Sequence, residues 1–265
     1  MLSIIVTGRN DDYDGNFEER LSISLSRNTK SLPSAEFILV EWNPILEKPL
    51  VCEKLKKIFG DRIRYFVVHP KYHSQYCTCD WFIEYPAKNI GIRKAKGNFI
   101  LCTNSDIIFS PEVVNNLKSQ LNDNTIYRAI RIDIPVNHLD VSFPLLGKYK
   151  LAINGGLTNG CGDFLLLHRN MWLDVTGYCE EFPEQRLHKD SQIIYKLLDK
   201  CNYPVVNLGI ITHWRHASSW ANTLTRPRIG DPRWNFRECG YEKNKDTWGL
   251  TFTREENRNG ITWLM

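Results

Sequence analysis

Apolar residues in the first hundred positions switch between two periods. Ser3–Val6 is a short apolar run that predicts a buried strand, and Phe17, Leu21 and Leu25 then recur at helical spacing. Phe37–Val40 predicts a second strand. Leu50, Val51, Leu55, Ile58 and Phe59 follow on one helical face, which Gly60 ends. Arg64–Val68 predicts a third strand, and a helix led by Pro86 runs into a fourth, Asn98–Thr103. Three strand–helix–strand steps in succession predict an α/β fold with a doubly wound, mostly parallel sheet.

The pattern loosens after Asp106. Ser110-Pro111-Glu112 predicts a helix start, with serine as N-cap and proline in the first turn, and Val114, Leu117 and Leu121 supply its buried stripe. Ile126–Ile134 alternates apolar and charged residues, which predicts a half-exposed strand. Residues 137–159 read as an irregular loop over the site. Phe164–Leu167 predicts another strand, and Ile193, Ile194, Leu197, Leu198 and Cys201 another helix. Val205–Thr212 predicts a last strand, which leads into His213-Trp214-Arg215-His216. From about Asn222 the chain is polar with scattered Trp and no periodicity, so it is expected to wrap the domain or order over a ligand. The expected organisation is one domain over 1–221, divided into halves 1–106 and 107–221, and an irregular C-terminal segment over 222–265.

Composition narrows the partners. A formal charge of +4 on 34 basic and 30 acidic side chains gives no reason to expect nucleic acid. MLSIIVTG enters a strand directly, so no signal peptide is expected, and no run reaches the roughly 20 apolar residues of a membrane span. Of the eight cysteines, Cys102 and Cys201 read as small core residues. Cys77-Thr78-Cys79 lacks the second pair that a structural zinc site needs. Reduced thiols in a cytoplasmic protein are expected.

The stretch AKNIGIRKAKGNFILCTNSD, residues 87–106, concentrates the chemistry. A helix carrying Asn89, Gly91 and Arg93 turns at Gly97 into an apolar strand that ends in Asn104-Ser105-Asp106. Open α/β sheets bind ligands beyond the carboxyl ends of their strands. A carboxylate there can bind a hard divalent cation, which can hold a pyrophosphate.

This order resembles the nucleotide-sugar core of GT-A glycosyltransferases of the family-2 type. In that family an Asn-x-Gly-x-x-x-Ala-x-Gly helix leads into a strand and a DxD-like metal motif. Asn89, Gly91, Ala95 and Gly97 keep the spacing, and Asn104-Ser105-Asp106 stands in place of DxD with one carboxylate instead of two. The resemblance implies a GT-A-like Rossmann-type fold and a nucleotide-diphosphate sugar donor, UDP favoured. It further implies a glycan acceptor, Mn²⁺ or Mg²⁺ as cofactor, and an inverting mechanism. It places Thr7, Gly8, Arg9 and Asp11 of the first loop, with Glu41 at the end of the second strand, around base and ribose. Asn89, Arg93, Asn104, Ser105 and Asp106 complete the donor site, with Arg93 on the diphosphate. Gly162-Asp163-Phe164 through Glu180-Glu181-Phe182 resembles the acceptor-side segment, with Asp163 toward the acceptor. Asp190 then takes the position of the general base, with His188 beside it.

Each residue also has a plainer assignment. Arg9 and Asp11 fit a solvated loop with an Asx turn. Asp106 fits a turn before the next helix, although Ser110 already caps that helix. Asp190 fits an N-terminal helix cap. His213 and His216 are spaced to share a cation through neutral imidazole nitrogens, or to be one buried and one surface histidine. A late histidine is often a metal ligand in GT-A enzymes. No glutamate lies between the two, so a HExxH peptidase is not supported. Trp214, Trp220 and Trp234 offer aromatic faces for an acceptor sugar, or core. Two rivals remain: a sugar nucleotidyltransferase, disfavoured by the acidic GRNDDYDG loop, and a non-catalytic glycan- or nucleotide-sugar-binding module.

Overall fold

A computed structural model describes residues 1–76, 79–80, 82–135, 162–180, 189–215 and 244–265. The first part of the chain runs β1 (Leu2–Gly8), α1 (Phe17–Ser31), β2 (Glu36–Trp42), α2 (Val51–Phe59), β3 (Ile63–Val68), α3 (Pro70–Tyr76), α4 (Glu84–Lys94) and β4 (Phe99–Thr103). There follow β5 (Ile107–Phe109), α5 (Pro111–Lys118), β6 (Ile126–Pro135), β7 (Phe164–His168), α6 (Arg169–Asp174), α7 (Lys189–Cys201) and β8 (Val205–Arg215). The last elements are β9 (Glu255–Arg258) and β10 (Ile261–Leu264).

The strands form one sheet in the order β5-β8-β6-β7-β4-β1-β2-β3-β10-β9. β4, β1, β2, β3 and β10 are mutually parallel, as are β6 and β8, while β7, β5 and β9 pair antiparallel with their neighbours. Both faces are covered. Ile4, Val6, Phe37, Leu39, Tyr65 and Val67 point toward α1, α2 and α5, whereas Ile5, Ile38, Val40, Phe66 and Val68 point toward α4, α6 and α7. Burial on both sides is why these strands read as unbroken apolar runs.

The Asn-x-Gly spacing has a packing origin. A Cβ at Gly91 would drive into Ile5, and one at Gly97 would lie 2.7 Å from Met1 O and Ser3 N. Only glycines let α4 and its exit turn lie this close to β1. Ser110 caps α5 as expected, accepting from Val113 N at 3.2 Å. No helix among the described residues is long and apolar enough to cross a membrane.

Four expectations are corrected. β6 is not half-exposed throughout: Ile126–Ala129 are buried in succession because β7 and β8 flank the strand. β8 extends past Thr212, so His213 and Trp214 lie within the strand. The polar segment after Asn222 contributes β9 and β10 to the sheet edge. Cys52, Cys102 and Cys179 are free thiols and Cys201 is a free thiol that is exposed instead of buried, while Cys79 is disulfide-bonded, against the expectation of uniformly reduced thiols. The loop predicted over 137–159 lies outside the described residues.

Candidate functional site

The turn Asn104–Asp106 leaves β4 at its carboxyl end, and β5 then runs back along β8 so that Ile107 lies opposite His213. On its other side β8 pairs in parallel with β6, setting Asp133 beside His213. Asp106 from the β4–β5 turn, Asp133 from β6 and His213 from β8 are thereby brought together. His213 Nδ1 is 2.9 Å from Asp133 Oδ1, and Nε2 is 3.6 Å from Asp106 Oδ2. Asp106 is 6% exposed and His213 8%. Buried Arg20, on α1, brings its Nε within 3.9 Å of Asp106 Oδ2 and donates through Nη2 to Tyr13 O at 2.8 Å and through Nη1 to Gly15 O.

Asp106 and His213 would supply two ligands to a divalent cation bound between them. If the ring proton sits on Nδ1 toward Asp133, Nε2 would face the Asp106 carboxylate as a second acceptor. Their 3.6 Å separation is too long for a hydrogen bond but spans two metal–ligand bonds of about 2.0–2.2 Å meeting at an angle. A carboxylate behind a ligating histidine is the usual second partner of such a ring. Among the described residues no three His, Cys, Asp or Glu side chains converge on one point. The remaining positions would fall to phosphate oxygens and water, as hard cations accept.

A second polar chain adjoins the first. Asn104 Nδ2 donates to Asp163 Oδ1 at 2.8 Å, and Arg131 Nη1 meets Asp163 Oδ2 at 2.8 Å while its Nε lies 3.1 Å from Asp133 Oδ1. Lys88, fully buried on α4, donates to Asn104 Oδ1 at 3.0 Å and Gly162 O at 2.9 Å and pairs with Glu84. Burial pushes the Lys88 ammonium down, but Glu84 beside it, together with Cys102 and Asp163, outweighs that and holds it above the ordinary lysine value. Asp190 sits in the first turn of α7, where its Oδ1 accepts from Ser191 N at 2.9 Å. Its Oδ2 lies 3.1 Å from the place a Cβ on Gly162 would occupy, so a larger residue there would press on this carboxylate.

No protein-family model and no curated protein sequence matches this chain. Solved structures do. TarS from S. aureus in complex with UDP-GlcNAc superposes with a TM-score of 0.54 at 13% identity, over 84% of this chain and 60% of that one. The mannosyltransferase PcManGT from Pyrobaculum calidifontis, in complex with GDP-Man and Mn²⁺, gives 0.53 at 11% identity over 94% and 71%. This chain has the GT-A fold. GalNAc-T7 with UDP, GalNAc and Mn²⁺ matches at 0.50 and 14% identity over 82% and 44%. The chain spans only 37% of the length of a longer TarS structure.

Within the GT-A frame the expected site residues separate into two sets. Thr7 and Gly8 end β1, and Arg9 and Asp11 follow, 3.7 Å apart, with Arg9 Nε on Asn43 O at 2.7 Å. Burial pushes the Asp11 carboxyl up despite the opposing pull of Arg9. Asn104, Ser105, Asp106, Asp163, Asp190 and His213 gather at the same end of the sheet.

Four others are turned to structural work. Glu41 is fully buried, and its two oxygens accept from Val51 N and Cys52 N at 3.0 and 2.8 Å, capping α2. Asn89 is fully buried, with its amide spent on Tyr178 N, Tyr178 O and Glu180 Oε1. Arg93 is on the last turn of α4, over Trp248 at 4.6 Å and donating to Asp246 O. That end of the helix leads to Gly97, whose N–H donates to Ser3 Oγ near the start of β1, away from Asp106. Trp214 is 1% exposed among Ile108, Ile132 and Ile134, so its indole offers no face to a sugar. His188, His216, Trp220 and Trp234 lie outside the described residues.

Sequence reasoning missed Arg20, Lys88, Arg131 and Asp133. Arg131-x-Asp133 carried a usable signal, because strand residues two apart share a face. Arg20 carried none: a charged residue on a helix reads as solvent-facing.

Proposed function

We propose that this chain is a glycosyltransferase that moves a sugar from a nucleotide diphosphate donor to a hydroxyl of a glycan acceptor. The observation that carries this reading is the facing pair Asp106 and His213 at the carboxyl ends of the strands of a GT-A sheet. Asp106 and His213 would hold Mn²⁺ or Mg²⁺, with His216 a further candidate ligand. A cation bound there neutralises the charge that develops on the leaving diphosphate. The GDP-Man and Mn²⁺ in the complex of PcManGT, and the UDP, GalNAc and Mn²⁺ in that of GalNAc-T7, support the same reading.

Residues 1–106 supply the donor side. Arg9 and Asp11 border the nucleotide, and with Glu41 committed to its cap, Asp11 is the carboxylate left to accept the N3–H of uracil. UDP is therefore the favoured donor nucleotide. Residues 107–221 supply the acceptor side, and the segment from 222 completes the domain. Asp190, in the positive field at the start of α7, would take the acceptor proton as the hydroxyl attacks, giving inversion.

A thermal-shift panel of UDP, GDP and dTDP sugars, with and without Mn²⁺, tests the reading. UDP sugars are expected to raise the melting temperature only with metal present, and to be hydrolysed slowly without acceptor. Binding undiminished in EDTA would remove the metal, and a shift with GDP alone would remove UDP. Binding without any turnover would favour a non-catalytic sugar-binding module.

A further inference from the structure

We propose that Asp133 is a positioning residue: it fixes the His213 ring with Nδ1 protonated, so that the bare Nε2 faces Asp106, and Arg131 holds Asp133 in place. The effect on cation binding rests on the donor-site reading above; the effect on the ring does not.

A neutral imidazole carries one proton, and the hydrogen bond at one nitrogen decides which nitrogen keeps it. Asp133 Oδ1 is 2.9 Å from Nδ1 and, as a carboxylate, can only accept there. The proton therefore stays on Nδ1. Removing that acceptor takes away the carboxylate that favours the proton on Nδ1, and a proton on Nε2 would occupy the lone pair that faces Asp106 at 3.6 Å.

Asp133 is itself held. Arg131 lies two residues earlier on the same strand face and forks, with Nε 3.1 Å from Asp133 Oδ1 and Nη1 2.8 Å from Asp163 Oδ2. Asp163 in turn accepts from Asn104 Nδ2 at 2.8 Å, two residues before Asp106. A continuous polar chain, His213–Asp133–Arg131–Asp163–Asn104, thus runs from one presumed ligand to the turn that bears the other. Their spacing does not depend on backbone alone. Outer partners of this kind are worth about 10–100-fold in metal affinity.

The test uses the full chain labelled with ¹⁵N-histidine. Long-range ¹H–¹⁵N spectra of the metal-free protein are expected to show His213 as the Nδ1–H tautomer, changing toward Nε2–H in Asp133→Ala. Mn²⁺ affinity, titrated with Mn²⁺ alone and with UDP, is expected to fall about 10–100-fold. The melting temperature should stay within about 3 °C of the parent. Asp133→Asn keeps an acceptor oxygen, so it should retain the tautomer and lose less affinity; it carries the test if the alanine variant does not fold. A tautomer unchanged in Asp133→Ala, or a purely proportional loss of affinity and melting temperature in both variants, overturns the assignment. A parent that binds no Mn²⁺ overturns the metal reading instead, and the tautomer still decides the role of Asp133.

Discussion

Arg20 and Asp106 form a buried ion pair across the mouth of the sheet, with Nε 3.9 Å from Oδ2 and both side chains under one-tenth exposed. Removing one member of such a pair strands the other charge away from water, at a cost of about 3–5 kcal/mol. Arg20→Met is expected to lower stability in urea by that order, because the carbonyls of Tyr13 and Gly15 lose their donor as well. In an Asp106→Asn background the same change should cost clearly less, since no carboxylate is left unpaired. Equal costs in both backgrounds would show that the pair contributes nothing.

Glu41→Gln separates the cap from a base-binding role. Glutamine keeps one acceptor for Val51 or Cys52 but turns an NH₂ group toward the other N–H. A loss of about 1–3 kcal/mol in stability is expected. Nucleotide affinity, measured by calorimetry, should match the parent, because both carboxylate oxygens already face the α2 N-terminus. A selective loss of nucleotide binding would return Glu41 to the donor site.

Acid stability depends in part on Glu36. Burial pushes its carboxyl up, but hydrogen bonds from Ser3 and Lys96 N and the Arg64 guanidinium together outweigh that and hold it below its ordinary value of 4.5. A group lowered in the folded state contributes stability that is full above its unfolded pKa and is lost as pH falls through the folded one. Stability should therefore decline as pH drops below 4.5, and Glu36→Gln should flatten that decline while lowering the plateau near neutrality. Urea unfolding at a series of pH values checks it; parallel curves for parent and variant would refute it.

Asp190→Asn tests the presumed base. Asparagine caps a helix about as well as aspartate, so melting temperature and donor affinity should hold. Transfer should fall by about 10²–10⁴-fold, the usual contribution of a positioned base. If turnover stays within a few-fold of the parent, Asp190 serves only α7, and Asp163 or His188 is next to be replaced.

Residues 1–106 were legible because their strands and helices are long enough to show a period, and the start of α5 because Ser110 and Pro111 mark it by local chemistry alone. β5 and β10 were not legible. Three or four residues cannot display a period, and β10 takes its register from β3, some two hundred positions earlier. The candidate site divides similarly. Asp106 and His213 could be singled out because strand-end acids and late histidines are visible one at a time. Asn89 and Glu41 were misplaced because spacing says which helix or strand bears a residue, not which way its side chain is spent. Asn89 braces the Tyr178 turn, and Glu41 has two backbone donors ten residues downstream. Cross-strand partners such as Asp133 become visible only once β6 and β8 are known to be neighbours.

The pairing of Ile261–Leu264 with Tyr65–Val68 has a consequence for solubility. Without β10, the apolar β3 would present a row of unpaired amides and carbonyls, a template on which a second chain can add. β10 covers that row, and β9, the charged Glu255-Glu256-Asn257-Arg258, becomes the outermost strand in its place. A chain shortened before Ile261 should therefore aggregate through the β3 edge even where its individual helices and strands still form.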